Sequence, residues 1–301
     1  MDIVISGASG FIGRALTASL VADGHRVVPL VRPGGREVPA DSLRWDPARA
    51  TIDAAGLEGV DALVNLSGAG IGDAKWTPAR KEEILESRTV TTGLLAHTLA
   101  TIQTPPPVFV TASAIGYFGD RGEETCTEES APGSGFLAEV CLEWEDAARP
   151  AAEAGLRVVW ARTGIVLDPA GGVLKALLLP FRLGLGGRLG SGRQVMSWIS
   201  LADEVAALRA CIDEPGLGGP VDLTAPNPVT NAEFTATLGK VLGRPTALPT
   251  PLLPLKLRYG AELVQALMLD GQRVVPEKLL GHGFTFAHPD LEGALRAMLG
   301  K

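Results

Sequence analysis

Residues 5–13, ISGASGFIG, constrain the fold more than any other stretch of this chain. They set three glycines, each three apart, between an apolar run and an amphipathic segment. The preceding DIVIS (2–6) reads as a short strand. The following FIGRALTASLVAD has helical apolar spacing and ends at Gly24, a suitable residue just past a helix. Strand, glycine turn and helix in that order are the setting of a dinucleotide-binding unit. Gly7 permits the tight turn, Gly10 lets backbone approach a pyrophosphate at the helix N-terminus, and Gly13 lets the helix pack closely on the strand. The spacing is GxxGxxG rather than the more usual GxGxxG. With 37 glycines in the chain the weight rests on context, not on the glycines alone. The turn is expected to meet its ligand through Gly7, Ser9, Gly10, Phe11, Ile12 and Gly13.

The rest of the chain continues the pattern. RVVPLV (26–31), VDALVNLSG (60–68), PVFVTASA (107–114) and LRVVWARTGIVL (156–167) read as strands. Residues 78–102 read as a long helix with a weak point at Gly93, and 136–155 as a helix broken or kinked at Pro150. Near-continuous apolar strands alternating with helices predict an α/β fold, a Rossmann-type doubly wound parallel sheet covered on both faces. Beyond residue 170 the character changes. GLGGRLGSGR (184–193) is rich in glycine and arginine, 195–213 reads as strand, turn and helix, and the remainder is α-rich. The expected division is a Rossmann domain over 1–170, rejoined by 195–213, and a smaller α-rich C-terminal domain on the substrate side over 171–301.

A ribose-binding Asp or Glu is expected about 20 positions after the turn in proteins that take NAD. That place reads LVRPGGR, with Arg32 at the strand end and Arg36 nearby. A carboxylate would repel a 2′-phosphate, whereas a guanidinium pairs with it in a fork. The expected cofactor is therefore NADP(H).

Composition narrows the remaining classes. The chain has 301 residues, 46% hydrophobic and 20% charged, with a net charge of -7. That balance argues against a nucleic-acid partner or a membrane surface. No apolar run reaches ~18 residues, the length of a membrane span; VLKALLLPF (173–181) comes nearest. The start of the chain has no signal-peptide pattern. Cys126, Cys141 and Cys211 are odd in number and lack metal-ligand spacing, so no metal and a reducing, cytoplasmic setting are expected. His25, His97, His282 and His288 are scattered.

Several segments together resemble extended or atypical short-chain dehydrogenase/reductases: the glycine turn, NLSG (65–68), TASAIGYFGD (111–120) and SWISLADEV (197–205). More narrowly, IGDAKWT (71–77), ESRTVTTGLL (86–95), RLGLGGRLGSGRQVMSWI (182–199) and GQRVVPEKLL (271–280) are similar to the NAD-dependent epimerase/dehydratase-like "epimerase family" branch, some members of which are labelled cell-division inhibitor SulA. The likeness spans essentially the whole chain. It implies that Leu66, Ser67 and Gly68 pass the adenosine and ribose, that Thr111, Ala112 and Ser113 lie beside the nicotinamide, and that Arg162, Thr163, Gly164 and Ile165 flank its carboxamide. Arg88 falls at a cofactor-facing position on the long helix.

The wider family moves protons with a Tyr in a YxxxK pair plus a Ser or Thr. Here the fourth residue after Tyr117 is Arg121 and after Tyr259 is Leu263, so no such pair exists. In the segment where it belongs, Gly135 and Glu139 take the Tyr and Lys places. Ser113 keeps the Ser/Thr place, Tyr117 is the candidate phenol, and Arg121 a candidate partner for it. Arg182, Arg188, Arg193 and Gln194 suit an anionic ligand or a solvated lid. Two readings follow: an NADP-dependent oxidoreductase or epimerase using Ser113 and Tyr117 on an unknown small substrate, with a homodimer expected by analogy, or a non-catalytic NADP(H) sensor or scaffold.

Overall fold

The computed structural model describes residues 1–34 and 41–301; Arg36 lies outside the described residues. In chain order the first half comprises β1 (Asp2–Ser6), α1 (Phe11–Ala22), β2 (Arg26–Val31), β3 (Leu43–Asp46), β4 (Thr51–Ile52), β5 (Ala62–Asn65), α2 (Pro78–Thr101), β6 (Val108–Ala114), β7 (Thr125–Cys126), α3 (Phe136–Asp146), α4 (Arg149–Glu153) and β8 (Arg157–Thr163). The second half comprises β9 (Ile165–Asp168), α5 (Gly172–Arg182), β10 (Val195–Met196), β11 (Trp198–Ser200), α6 (Leu201–Asp213), β12 (Gly219–Leu223), β13 (Val229–Thr230), α7 (Asn231–Leu242), α8 (Leu252–Tyr259), α9 (Ala261–Val264), β14 (Arg273–Val274), α10 (Glu277–Gly281) and α11 (Leu291–Leu299).

Eight strands form one sheet in the order β12-β8-β6-β5-β1-β2-β3-β4, parallel except at the β3–β4 edge. This is the doubly wound Rossmann arrangement. The order reverses between β1 and β5, which opens the crevice where such sheets take ligands. β1 explains the double layer. Its Ile3 and Ile5 join Leu16, Leu20 and Leu208 in one core, while Val4 between them joins Leu95, Leu99 and Ala148 in the other. A strand with period two thus feeds both faces, so both must be apolar. A third core, around Leu178, Phe181, Trp198, Phe234 and Leu295, organises the helical C-terminal part.

Four local readings change in three dimensions. α2 runs through Gly93 unbroken, capped at its start by Thr77, whose hydroxyl accepts from the Arg80 amide. The 136–155 segment breaks at Ala147–Ala148, and Pro150 sits in the first turn of α4, where its missing N–H costs nothing. The apolar run 156–167 is two strands. β9 leaves the sheet at Gly164 to pair with β11, and a Cβ on Gly164 would come 2.7 Å from the Ser197 carbonyl oxygen, so only glycine fits at this crossing. β3 and β4 extend the far edge, where no strand was expected. Among the described residues no helix is long and apolar enough to cross a membrane.

Candidate cofactor and active site

The glycine turn is shaped by close backbone approach. Gly7 has φ 73°, and a Cβ there would lie 2.6 Å from the Leu66 carbonyl oxygen. A Cβ on Gly13 would lie 2.2 Å from the Gly7 oxygen, so only glycine brings α1 this near the turn. Gly10 caps α1 without a side chain, and its amide donates to Gly7 O at 2.9 Å. Ser9 is exposed at the tip, and its carbonyl accepts from Arg14 Nη1. The Phe11 ring and Ile12 pack inward, leaving their amides at the N-terminus of a twelve-residue helix. Exposed amides there favour an anion.

The strand ends beside the turn are tied together by a buried polar knot. Asn65 accepts from Ser6 Oγ at 2.6 Å and from the Ser67 amide at 3.2 Å, and donates to Thr92 Oγ1 at 2.8 Å and Thr111 Oγ1 at 3.3 Å. Trp144 Nε1 also donates to Thr92, at 3.0 Å. The knot joins β1, β5 and β6 to α2 and α3 and fixes the loop Leu66–Gly68. Thr111 is fully buried in the knot, whereas Ala112 is half-buried. Arg88 underlies the same loop, donating to Ala69 O at 3.0 Å and stacking over Trp144, and a Cβ on Gly68 would lie 3.3 Å from its guanidinium carbon. Desolvation lowers the Arg88 pKa, and among the described residues its guanidinium bonds the Ile84 and Ala69 carbonyls and pairs with no carboxylate. A buried guanidinium without an anion, beside a glycine cradle, fits a phosphate-bearing ligand. Arg32 stands exposed at the end of β2.

Ser113, Arg162 and Asp222 fall in register across β6, β8 and β12, on one face of the sheet. From α3 above them, Glu145 takes a bidentate pair from Arg162, Nε to Oε1 at 2.8 Å and Nη2 to Oε2 at 2.9 Å. Ser113 Oγ donates to the same Oε1 at 2.7 Å. Tyr117, in a 3-10 turn over Ile115–Phe118, stacks on Arg162 with 3.5 Å from guanidinium carbon to ring centroid. Burial alone would lower the Arg162 pKa, but hydrogen bonding and pairing with Glu145 outweigh it and raise it. Asp222 is pushed well above the carboxylate range, first by burial and then by Glu128. Both its oxygens and Arg162 Nη1 are buried without a hydrogen-bond partner. A carboxylate is acceptor-only, so the Ser113 proton is committed to Glu145 and its lone pairs remain to accept from a ligand.

The predicted residues sort accordingly. Ser113 and Tyr117 meet at the Glu145–Arg162 pair, where Arg162 commits Nε and Nη2 and leaves Nη1 unpartnered, while Gly164 and Ile165 begin the turn into β9. Arg121 faces its own loop, paired with Glu124, and Arg162 takes the place beside Tyr117 instead. Gly135 caps α3 with φ 97°, and Glu139 is exposed in the first turn. A cleft of about 60 Å³ lies beside Gly135, lined also by Gly116, Phe136, Ala266 and Gln272. Arg188 bonds the Gly190 carbonyl and Gln194 those of Leu189 and Met268, and Arg182 and Arg193 are exposed. Asn65, Thr92, Glu145 and Asp222 went unforeseen. Only Glu145 left a signal, one step past the buried stripe Ala138–Cys141–Trp144.

The NAD-dependent epimerase/dehydratase family matches residues 3–222, and DUF1731, a domain of unknown function, matches 250–298. The epimerase family protein MT2273 of Mycobacterium tuberculosis is 45% identical over 295 residues, 97% of this chain and 96% of the relative. The Bacillus subtilis epimerase family protein YfhF is 34% identical over 303 residues, 99% of this chain and 98% of the relative. A crystal structure of human epimerase family protein SDR39U1 (isoform 2) with NADPH is 34% identical with a TM-score of 0.91, covering 100% of both chains. UDP-glucose 4-epimerase from Thermotoga maritima shares the fold, with a TM-score of 0.76 at 17% identity over 100% of this chain and 98% of that one.

Proposed function

This chain belongs to the NAD-dependent epimerase/dehydratase family, and from that premise we propose that it binds NADP(H) and acts as an oxidoreductase or epimerase-like enzyme on a small substrate. The observation that carries the reading is the pairing of a glycine cradle only glycine can form with a buried, carboxylate-free Arg88. The NADPH-bound human relative of the same family supports it. The α1 amides and Gly7–Gly13 hold the pyrophosphate, Leu66–Gly68 and Arg88 border the ribose side, and Arg32 pairs with the 2′-phosphate. Residues 171–301 supply much of the substrate side. Bound NADP(H) supplies the hydride donor or acceptor. Ser113 Oγ accepts a proton from a substrate hydroxyl as it passes its own to Glu145 Oε1, and the reverse movement delivers a proton to a carbonyl. Arg162 holds Glu145 in place and keeps the Tyr117 ring against the cluster.

A second reading, a sensor or scaffold without turnover, draws on the exposed Glu139 and on Gly135 where the family carries its Tyr and Lys. Calorimetry with NADPH and NADH tests the binding. Arg32→Ala is expected to weaken NADPH about 10- to 100-fold, the worth of one charge-assisted bond, with NADH barely altered; equal losses remove the NADP assignment. A panel of alcohols, carbonyls and sugar nucleotides, followed by nicotinamide absorbance, separates enzyme from sensor. Ser113→Ala is expected to cut turnover at least 100-fold with NADPH affinity unchanged. Turnover that survives Ser113→Ala intact excludes Ser113 as the proton-bearing group.

A further inference from the structure

The net charge of -7 conceals a sharp segregation. Residues 169–202 and 234–261 hold eight of the 27 basic residues and none of the 34 acidic ones, so the remaining chain carries 19 basic against 34 acidic. The two stretches are zipped side by side. Thr250 donates its amide to Arg188 O and its hydroxyl to Gly187 O, both at 2.9 Å, and Leu189 bridges to Thr250. Of the eight cations only Lys240 is in an ion pair among the described residues, with Glu292.

The same stretches hold the most exposed apolar side chains. Leu179, Leu183, Leu185, Leu248, Leu253 and Leu257 are each 65–79% exposed, and no other large apolar residue described exceeds 54%. α5 carries apolar side chains on both its buried and its solvent sides, with Lys175 and Arg182 among the exposed residues. Its Leu174, Leu178 and Phe181 are buried, while Val173, Ala176 and Leu179, with Leu183 just past its end, repeat at helical spacing on the solvent side. α8 buries no residue at all, and Lys256 and Arg258 alternate with its exposed leucines. Apolar side chains on the solvent side of a helix are ordinarily covered, and a group of exposed leucines on neighbouring segments of a single chain marks an interaction surface.

We propose that this leucine-rich, basic face docks on an anionic lipid surface, lying in the interface without crossing it. Leucines reach the acyl boundary while lysine and arginine meet the headgroup phosphates, the arrangement of interfacial amphipathic helices. A second copy joined symmetrically through this face sets unpaired cations against their own counterparts, which disfavours that occupant. α8 leads through α9 into the Ala266–Gln272 segment that borders the small cleft, so docking would hold the cleft close to the surface.

The test is co-sedimentation of the intact protein with phosphatidylcholine vesicles, with and without phosphatidylglycerol. Binding to the phosphatidylglycerol vesicles, at least tenfold weaker on neutral ones and weakened by salt, is expected. Leu253→Ser with Leu257→Ser, and separately Lys256→Glu with Arg258→Glu, are each expected to weaken it at least tenfold. NADPH affinity should stay unchanged in both, which certifies the fold and separates this proposal from that of cofactor binding. Val90→Ser, an exposed apolar residue elsewhere, should have no effect. No binding to phosphatidylglycerol vesicles at low salt, equal binding by the variants, or a dimer that the leucine pair abolishes in sedimentation would each overturn the proposal.

Discussion

Glu145→Ala is expected to cost about 3–5 kcal/mol of stability, because it leaves the Arg162 guanidinium buried with no carboxylate. In a chain of this size that is a fall in Tm of about 10 °C. The loss should depend on pH. Asp222 lies next to Arg162 in register, and burial, together with the Glu128 and Glu145 charges, raises its pKa well above the usual carboxylate range against the opposing pull of Arg162 and Lys278. With Glu145 gone, ionised Asp222 becomes the alternative partner, so the penalty should shrink at alkaline pH and be greatest in mild acid. Glu145→Gln keeps an acceptor for Ser113 and should fall between the two. Urea denaturation at pH 6 and pH 9 measures this. A cost below about 1 kcal/mol at both values would mean the pair acts like an exposed one and would remove its role as the anchor of Ser113.

The contrast between cluster and turn says what a sequence makes legible. β1, the glycine turn, α1 and β2 are consecutive, and each is marked by local chemistry: an apolar run, glycines where side chains cannot fit, a helical period. The sheet followed from repeating that pattern. β3 was missed because LRWD alternates too briefly and carries charge. β8 and β9 merged because apolar runs lie on both sides of Arg162–Gly164 and nothing local says that the chain changes strand partner there. Glu145 meets Ser113 across 32 residues and Arg162 across 17, and the register that sets Asp222 beside them exists only once the sheet is assembled. Pairings of that kind have no local spacing to betray them.

A second large effect concerns Glu204. Fully buried on α6, it accepts from Thr163 Oγ1 at 2.8 Å, while its other oxygen has no partner. Burial pushes its pKa up to about 8, the Thr163 bond only partly opposing this. Between its ordinary value of 4.5 and about 8 the unfolded chain has released this proton and the folded chain has not. Stability therefore falls as pH rises through that window and levels off above it, by a few kcal/mol at about 1.4 kcal/mol per tenfold of proton affinity. Asp222 contributes in the same direction. Glu204→Gln cannot ionise and offers an amide to the unpaired position, so it should be more stable than the parent at pH 9 by a few kcal/mol and nearly equal at pH 4.5. Denaturation profiles against pH that run parallel for the two proteins would rule out Glu204 as the source.

One contact limits how freely this architecture can be recombined. The Phe11 ring rests on Gly171 and Gly172 at the foot of α5, and a Cβ on Gly171 would come within 2.4 Å of it. The cofactor turn of the amino-terminal half is thus packed against a residue pair from beyond it. A chimera that keeps the Phe11 turn must inherit the glycine pair with it, or else trim the aromatic ring that the pair accommodates.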